Sequence, residues 1–462
     1  MTLALRLTLR YLFRTMAVLH HLVSCLSRRC CGTRFLAILV VVSSLSHAAR
    51  ADESDAPGSA LLAASRTALV DIKMSLSRIR GEVSWASGFV LNNPRWVVTN
   101  VHAIDALLSE PDLYRVRVLG AQGQHLHARV IALDVASDLA LLQTDLPLNT
   151  RPLSLATQLP PAGETVYAIG KPSHRGFIVV EGRIDLLSNG EQGTESLEFT
   201  GTLESGMSGG PVLNARGEVV AVNRAVFLEP PRHSDLVAVP PLKRLLAQAA
   251  QQPYADHESL RQDIIRQHRA WASHRAQSVL RIMQQREPLG PFLVPSSSSD
   301  CEGGRFSEAD DDFDVYRLRC AFNWDAESET LLPEPGYQMR HFWLHQPGFH
   351  RLQSARAAQQ VMEYLRNQPV PSHRHRGSWQ CRSDRLTNAE RITLDIQACR
   401  RGYPHWPGFH DHRLRVVALI PGRDALVSAL DMNGIDPENA RRMTVQWLDA
   451  IGRREQVRRA QP

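Results

Sequence analysis

The stretch Gly206-Met207-Ser208-Gly209-Gly210-Pro211 sets one serine among three glycines and closes on a proline. Glycines on both sides of a serine let the backbone take conformations that a side chain forbids, so the hydroxyl stands clear and nearby amides converge on one point. That arrangement suits acyl transfer. A serine hydroxyl is a weak nucleophile near neutral pH and needs a base to take its proton. Two residues upstream fit this need. His102 closes Thr99-Asn100-Val101-His102-Ala103, and Asp138 opens Asp138-Leu139-Ala140-Leu141-Leu142. The chain thus offers His102, Asp138 and Ser208 in that order. Asp134 is a rival carboxylate, but no Leu-Ala-Leu-Leu run follows it and it reads as a turn residue.

The elements that must carry these residues are short. From about residue 61 to 250, β-branched runs such as Gly88-Phe89-Val90-Leu91, Trp96-Val97-Val98-Thr99, Val166-Tyr167-Ala168-Ile169 and Val219-Val220-Ala221-Val222 alternate with Gly, Pro, Asn and Asp. Many short strands with scarcely a helical period predict an all-β region, and its length suits two small barrels. His102 and Asp138 fall at strand ends, where a rigid scaffold presents side chains.

Taken together, Ser87-Gly88-Phe89-Val90, T-N-V-H-A, D-L-A-L-L, A-I-G-K-P (Ala168 to Pro172), G-M-S-G-G-P and N-A-R-G-E-V-V-A-V-N (Asn214 to Asn223) resemble the chymotrypsin-fold, trypsin-like serine peptidases of the HtrA-like branch. The resemblance covers about 140 residues in the family's order. It implies paired six-stranded barrels with the active site in the cleft between them, protein or peptide substrates, and no cofactor or metal. His102 would be the base, Asp138 the group that holds its tautomer, and Ser208 the nucleophile. The backbone amides of Gly206 and Ser208 would form the oxyanion hole, each donor worth about 3–4 kcal/mol of barrier. Met207 stands where digestive trypsins carry an Asp that pairs with a freed N-terminus, so activation by N-terminal insertion is not implied. Thr202, six residues before the nucleophile, replaces an acidic specificity residue and implies small or medium apolar side chains at the cleavage site. Ala221, Val222 and Asn223 are expected as the edge strand that pairs with substrate backbone. Arg224 reads as a solvated arginine or as a preference for acidic neighbours. The rival reading is a binding or scaffold protein on a peptidase fold whose oxyanion hole never forms, or one opened by a partner.

Composition narrows the class. The 462 residues leave room for two or three domains, and 43% hydrophobic residues is ordinary for a globular chain. The formal charge of +6 is local: residues 1–51 hold seven arginines and no acid, and the remainder carries 46 basic against 47 acidic side chains. No arginine cluster interleaved with aromatics stands out, so nucleic acid is not an expected partner. Residues 1–51 read as a signal peptide, with an apolar run at 35–42, arginines before it and Ala49-Arg50-Ala51 after it. The expected location is periplasmic or secreted, with no stable membrane span after leader removal. Four cysteines follow the leader, Cys301, Cys320, Cys381 and Cys399, and three pairings are possible. Similar spacings favour Cys301 with Cys320 and Cys381 with Cys399.

Four segments are expected: leader 1–51, peptidase domain 52–252, a helical connector with a Ser-rich linker at 253–299, and an α+β domain at 300–462. Leu260, Ile264, Trp271, Ala272, Val279, Leu280 and Met283 recur at helical spacing over 256–285, and Pro295-Ser296-Ser297-Ser298-Ser299 reads as a flexible break. No PDZ-like module follows. Strands are expected at 315–322, 338–344, 391–396, 414–420 and 425–430, with helices at 355–365 and from Asp436 onward. The echo between His345-Gln346-Pro347-Gly348-Phe349-His350 and His405-Trp406-Pro407-Gly408-Phe409-His410 suggests two copies of one unit. With His373, His375 and His412 nearby it also raises a metal site, but Pro-Gly turns flanked by histidines account for it more simply. The last domain's task is unassigned, with a regulatory partner one reading.

Overall fold

The computed structural model describes residues 57–77, 82–173, 175–189, 195–227, 233–296, 301–305, 313–322, 333, 335–345, 351–367, 376–420 and 424–454. The leader reading, the linker at 297–299 and the histidines at 373 and 375 lie outside them. After helix α1 (Pro57–Ser65) come strands β1 (Leu69–Leu76), β2 (Glu82–Val90) and β3 (Trp96–Thr99). A one-turn 3-10 helix, His102–Ile104, runs into α2 (Asp105–Ser109). Strands β4 (Tyr114–Gly120), β5 (His125–Asp134) and β6 (Leu139–Thr144) close a barrel in the order β1-β2-β3-β6-β5-β4. Because β3 and β6 are direct neighbours, with Thr99 opposite Ala140, the loop after β3 and the turn before β6 open at the same end. Sequence places His102 and Asp138 there.

The second barrel contains β7 (Thr165–Gly170), β8 (Ile178–Asn189), β9 (Glu195–Phe199), β10 (Pro211–Leu213), β11 (Val219–Phe227) and β12 (His233–Ala238), closed as β10-β11-β12-β9-β8-β7. Between the barrels lies an apolar layer in which Leu69, Phe89, Val98 and Leu141 meet Ile169, Leu213, Val222 and Val237. Helix α3 (Val239–Gln251) adds Leu242, Leu245 and Leu246 to that layer. The all-β expectation up to residue 250 is corrected here: prolines open the helix, and Leu242, Leu245, Leu246 and Ala249 keep its apolar spacing.

Helix α4 (His257–Met283) begins at Asp256, whose carboxylate accepts the Ser259 amide at 2.8 Å in a capping box. Its first half packs Leu260, Ile264 and Trp271 onto the first barrel, and its second half places Ala276, Val279, Leu280 and Met283 in the C-terminal core. It is a shared spine rather than a connector. Strands β13 (Arg286–Leu289) and β14 (Phe292–Pro295) follow it, and Ser296 is fully buried, so the expected flexible break does not begin at Pro295.

The C-terminal sheet contains β15 (Cys301–Arg305), β16 (Asp314–Phe322), β17 (Gly336–His345), β18 (Gln380–Thr387), β19 (Thr393–Gly402), β20 (His410–Ile420) and β21 (Asp424–Ile435), ordered β15-β16-β17-β21-β20-β19-β18. Helix α5 (Arg351–Asn367) covers part of one face, and α6 (Pro437–Ala450) packs with α4 into the core on the other. Strand β22 (Gly452–Arg453) returns to pair with β14. The disulfides are Cys301–Cys320 and Cys381–Cys399, each joining the two outermost strands at one edge of the sheet. Of the first echo only His345 lies among the described residues, at the end of β17, whereas the second runs from the loop after β19 to His410 at the start of β20.

That second echo has a role in packing. Tyr403, Trp406 and Phe409 are buried in the same apolar cluster as Ala103, Ile104 and Leu108, the residues that follow His102. Trp406 Nε1 donates to Ser109 Oγ at 3.3 Å, and His405 Nε2 lies 3.5 Å from Glu110. From α4, Gln267 donates to the Leu133 carbonyl and accepts the Val135 amide, each at 2.9 Å, steadying the turn that leads to Asp138. Trp406→Ala should therefore cost about 3–5 kcal/mol of stability, measured as a lowered denaturant midpoint for the whole chain.

Candidate active site

The carboxylate of Asp138 grips His102 twice. Its Oδ2 lies 2.7 Å from His102 Nδ1, and its Oδ1 accepts the His102 main-chain amide at 3.0 Å. Asp138 itself adopts a left-handed conformation, φ +56°. Asp and Asn tolerate that region better than most residues. Its carbonyl is anchored by Asn100 Nδ2 at 2.8 Å and by the Val101 amide at 3.3 Å. With Nδ1 donating to a carboxylate, the neutral ring carries its proton there and leaves Nε2 as the basic nitrogen. Asp134 accepts the Ser137 amide and hydroxyl at 3.0 and 2.8 Å, as a turn residue does.

The electrostatics favour the charged pair. For His102, loss of solvation pushes the pKa down, but the Asp138 charge and hydrogen bond, with help from Asp105, hold it above the ordinary histidine value. Desolvation would raise Asp138, yet His102 pulls it below the usual carboxylate range. The Arg224 guanidinium opposes protonation of both groups. It pairs with Asp235 at 3.3 Å and is largely buried, so it is not a freely solvated arginine.

Ser208 sits in the turn between β9 and β10. Gly206 and Gly209 have φ of +96° and +81°, and a Cβ on Gly209 would come within 2.4 Å of the Ser87 carbonyl. Only glycine satisfies both demands. The fully buried Ser87 fixes this turn from the first barrel. Its amide donates to the Ser208 carbonyl at 2.9 Å and its Oγ donates to the Gly206 carbonyl at 2.8 Å. The same Oγ accepts the Lys171 amide at 2.8 Å, and Thr99 Oγ1 donates to the Ser87 carbonyl at 2.9 Å. From the other side, the Gly209 amide donates to Asn223 O at 3.0 Å and the Asn223 amide to Gly210 O at 2.9 Å. Among the described residues, the Gly206 and Ser208 amides meet no acceptor. Two free N–H groups two residues apart are available to an external oxygen.

His102 and Asp138 are therefore in direct contact, whereas the Ser208 hydroxyl donates to the Arg224 carbonyl at 3.2 Å. Arg224 adjoins all three, through its carbonyl and its charge. Thr202 is exposed. The edge strand expected at Ala221–Asn223 is corrected: Ala221 and Val222 pair with β10 on one side and β12 on the other, and both are buried. Strand β10 begins only at Pro211, opposite Val222, so among the described residues the unpaired edge of β11 begins after Asn223, at Arg224. Asn223 instead ties the turn down, with Nδ2 donating to Ile169 O and Met207 O at 2.9 and 3.0 Å. Sequence reasoning quoted Ser87 without giving it a task; its only signal was its place before Gly88.

A family model described as the trypsin-like peptidase domain matches residues 86–222. The putative serine protease HhoB of Synechocystis is 31% identical over 153 residues, 31% of this chain and 35% of the relative. A probable periplasmic serine endoprotease, DegP-like, of Pseudomonas fluorescens is 32% identical over 154 residues, 32% of this chain and 31% of the relative. The serine endoprotease DegS of Escherichia coli is 30% identical over 149 residues, 30% of this chain and 39% of the relative. The chain thus spans about a third of the length of the relatives it matches. Over the matched residues it is a trypsin-like peptidase domain similar to serine proteases of the HtrA type. Among the described residues, no helix is long and apolar enough to cross a membrane.

Replacing Ser87 with Ala would leave the Lys171 amide and the Gly206 carbonyl without their buried partner. The expected loss is about 1–3 kcal/mol of unfolding free energy, read from the denaturant midpoint at unchanged slope.

Proposed function

We propose that the chain is an exported serine endopeptidase that cleaves protein substrates through an acyl-enzyme intermediate. The observation that carries this reading is the pair of unengaged amides at Gly206 and Ser208 beside an Asp138-held His102. Ser208 attacks the scissile carbonyl, and His102 Nε2 takes the hydroxyl proton and returns it to the leaving amine. Asp138 holds the ring and stabilises its cation. The developing oxyanion lies against the two amides, whose orientation is set before substrate arrives. The periplasmic relative and the leader composition support export. The free amides disfavour the silent-scaffold alternative, which requires a hole that does not form.

At rest the Ser208 hydroxyl is bound to the Arg224 carbonyl. A peptide added to the free edge of β11 presents an amide to that same carbonyl. Competition for it releases the hydroxyl to rotate towards His102, so substrate binding completes the nucleophile. The substrate-pairing segment is then the run beginning at Arg224, with Thr202 at the exposed rim of the specificity region.

Incubation of the purified chain and its Ser208→Ala variant with a fluorophosphonate probe and casein tests this. Labelling and cleavage by the wild type, both lost in the variant, are expected; a folded wild type that does neither overturns the reading. The base must be neutral to act, and His102 is held above its ordinary value. The acid limb of kcat/KM should therefore have its midpoint above pH ~6.5, activity rising as pH rises through it. Asp138→Asn should fold, because Asn tolerates the left-handed backbone, yet lose about 10^4-fold in kcat. A steady-state assay beside a circular-dichroism melt checks both halves.

A further inference from the structure

Five arginines that the peptidase reading leaves unused converge in the C-terminal sheet. Arg413 and Arg415 of β20 stand opposite Asp431 and Ala429 of β21, and Arg340 of β17 faces Ala429 from the other side. Residues opposite one another share a face, so the three stems rise together. All three reach Asp431, Arg340 at 2.7 Å, Arg415 at 2.8 Å and Arg413 at 3.9 Å. Beside them, Arg401 and Arg376 share Asp411 at 2.8 and 3.3 Å, and Asp411 also accepts the Tyr403 hydroxyl and the Gly434 amide. Trp379 bridges the groups, with the Arg401 and Arg413 guanidiniums 4.6 and 4.5 Å from its ring centroid.

Among the described residues, five guanidiniums thus meet two carboxylates, a surplus of three positive charges. These are not solvated surface arginines. The Arg415 and Arg401 side chains are 5% and 7% exposed, and Arg413, the most open of the five, is 23% exposed. No other acidic group among the described residues pairs with any of them. The Nε of Arg340 is buried and meets no acceptor among the described residues. Buried charge is ordinarily matched by a counter-charge, and a buried donor by an acceptor. Desolvation and neighbouring arginines hold Arg413 down to about 10, as expected of a cation whose compensation is incomplete.

We propose that this cluster is a binding site for a dianionic, phosphate-type oxyanion, entered from the side of Arg413 and Arg340. Guanidinium forks match the paired oxygens of such a group, and a dianion offsets most of the surplus charge. The site stands on the C-terminal sheet and is independent of the peptidase reading.

The test is a thermal-shift and calorimetric titration of the whole chain with inorganic phosphate against chloride at matched ionic strength, since a merely screening effect would appear with both salts. The expected result is a saturable rise in Tm with phosphate alone. Arg413→Gln should weaken the apparent Kd about tenfold, the loss of one charge-assisted contact. Arg385→Gln, an exposed change on β18, should leave it unchanged. If Arg413→Gln does not fold, Arg413→Lys serves instead, keeping the charge while removing the fork. Glycerol 2-phosphate binding as well as inorganic phosphate assigns the site to a phosphoryl group carried on a larger molecule, and inorganic phosphate alone to the free ion. No saturable response in the wild type, a response unaltered by the Arg413 variant, or an equal loss in Arg385→Gln overturns the proposal.

Discussion

The buried hydroxyl of Ser87 is the constraint on which the site depends. It holds the Gly206 carbonyl at 2.8 Å while its own amide holds that of Ser208 at 2.9 Å, so two peptide planes of the second barrel are oriented from the first. A peptide flip reverses an N–H and a C=O at little covalent cost, and what stabilises an oxyanion is where the N–H points. The Ser208 amide shares its peptide plane with the Met207 carbonyl, which Asn223 Nδ2 holds at 3.0 Å, so Asn223 aims that amide while Ser87 fixes the peptide planes on either side of it. Thr99 ties Ser87 to the strand that ends just before His102, so the base and the nucleophile turn are referred to one strand end.

The charges around the imidazole form a balance rather than a simple pair. Asp138 and Asp105 favour the protonated ring, while desolvation and Arg224 oppose it. The net upward displacement gives a stronger base at the cost of an acid-side loss of the neutral form. For stability the sign is separate: a histidine whose folded pKa is raised contributes stability that is present at low pH and fades as pH rises through that pKa. The working range of the dyad therefore lies where its charge-pair contribution to the fold has begun to fall.

The C-terminal half is built into the peptidase rather than tethered to it. Helix α4 gives one end of its apolar stripe to the first barrel and the other to the C-terminal core. Gln267 and Trp406 reach the two loops that carry Asp138 and His102. An amphipathic stripe announces that a helix packs, but not on what, so a segment that reads as a connector became a spine. Likewise the buried Ser296 shows that a serine-rich run can begin inside a core when its backbone is satisfied, here by the Gln285 carbonyl at 3.2 Å.

The sequence alone determined what is written in local chemistry. The glycines around Ser208, the Asp before Leu-Ala-Leu-Leu, the apolar recurrence over 256–285 and the cysteine spacings each encode a local demand, and the barrels, helix α4 and both disulfides were legible from them. Only the tertiary structure decided which edge of β11 is free, because that depends on where β10 begins rather than on residues 221–223 themselves. It alone gave Ser87 its partners at 206 and 208. The five arginines between positions 340 and 415 look scattered in one dimension, and no charge run marks them. Strand pairing brings them to two carboxylates, since electrostatic interaction follows distance in space and the chain order of strands is not their order in the sheet.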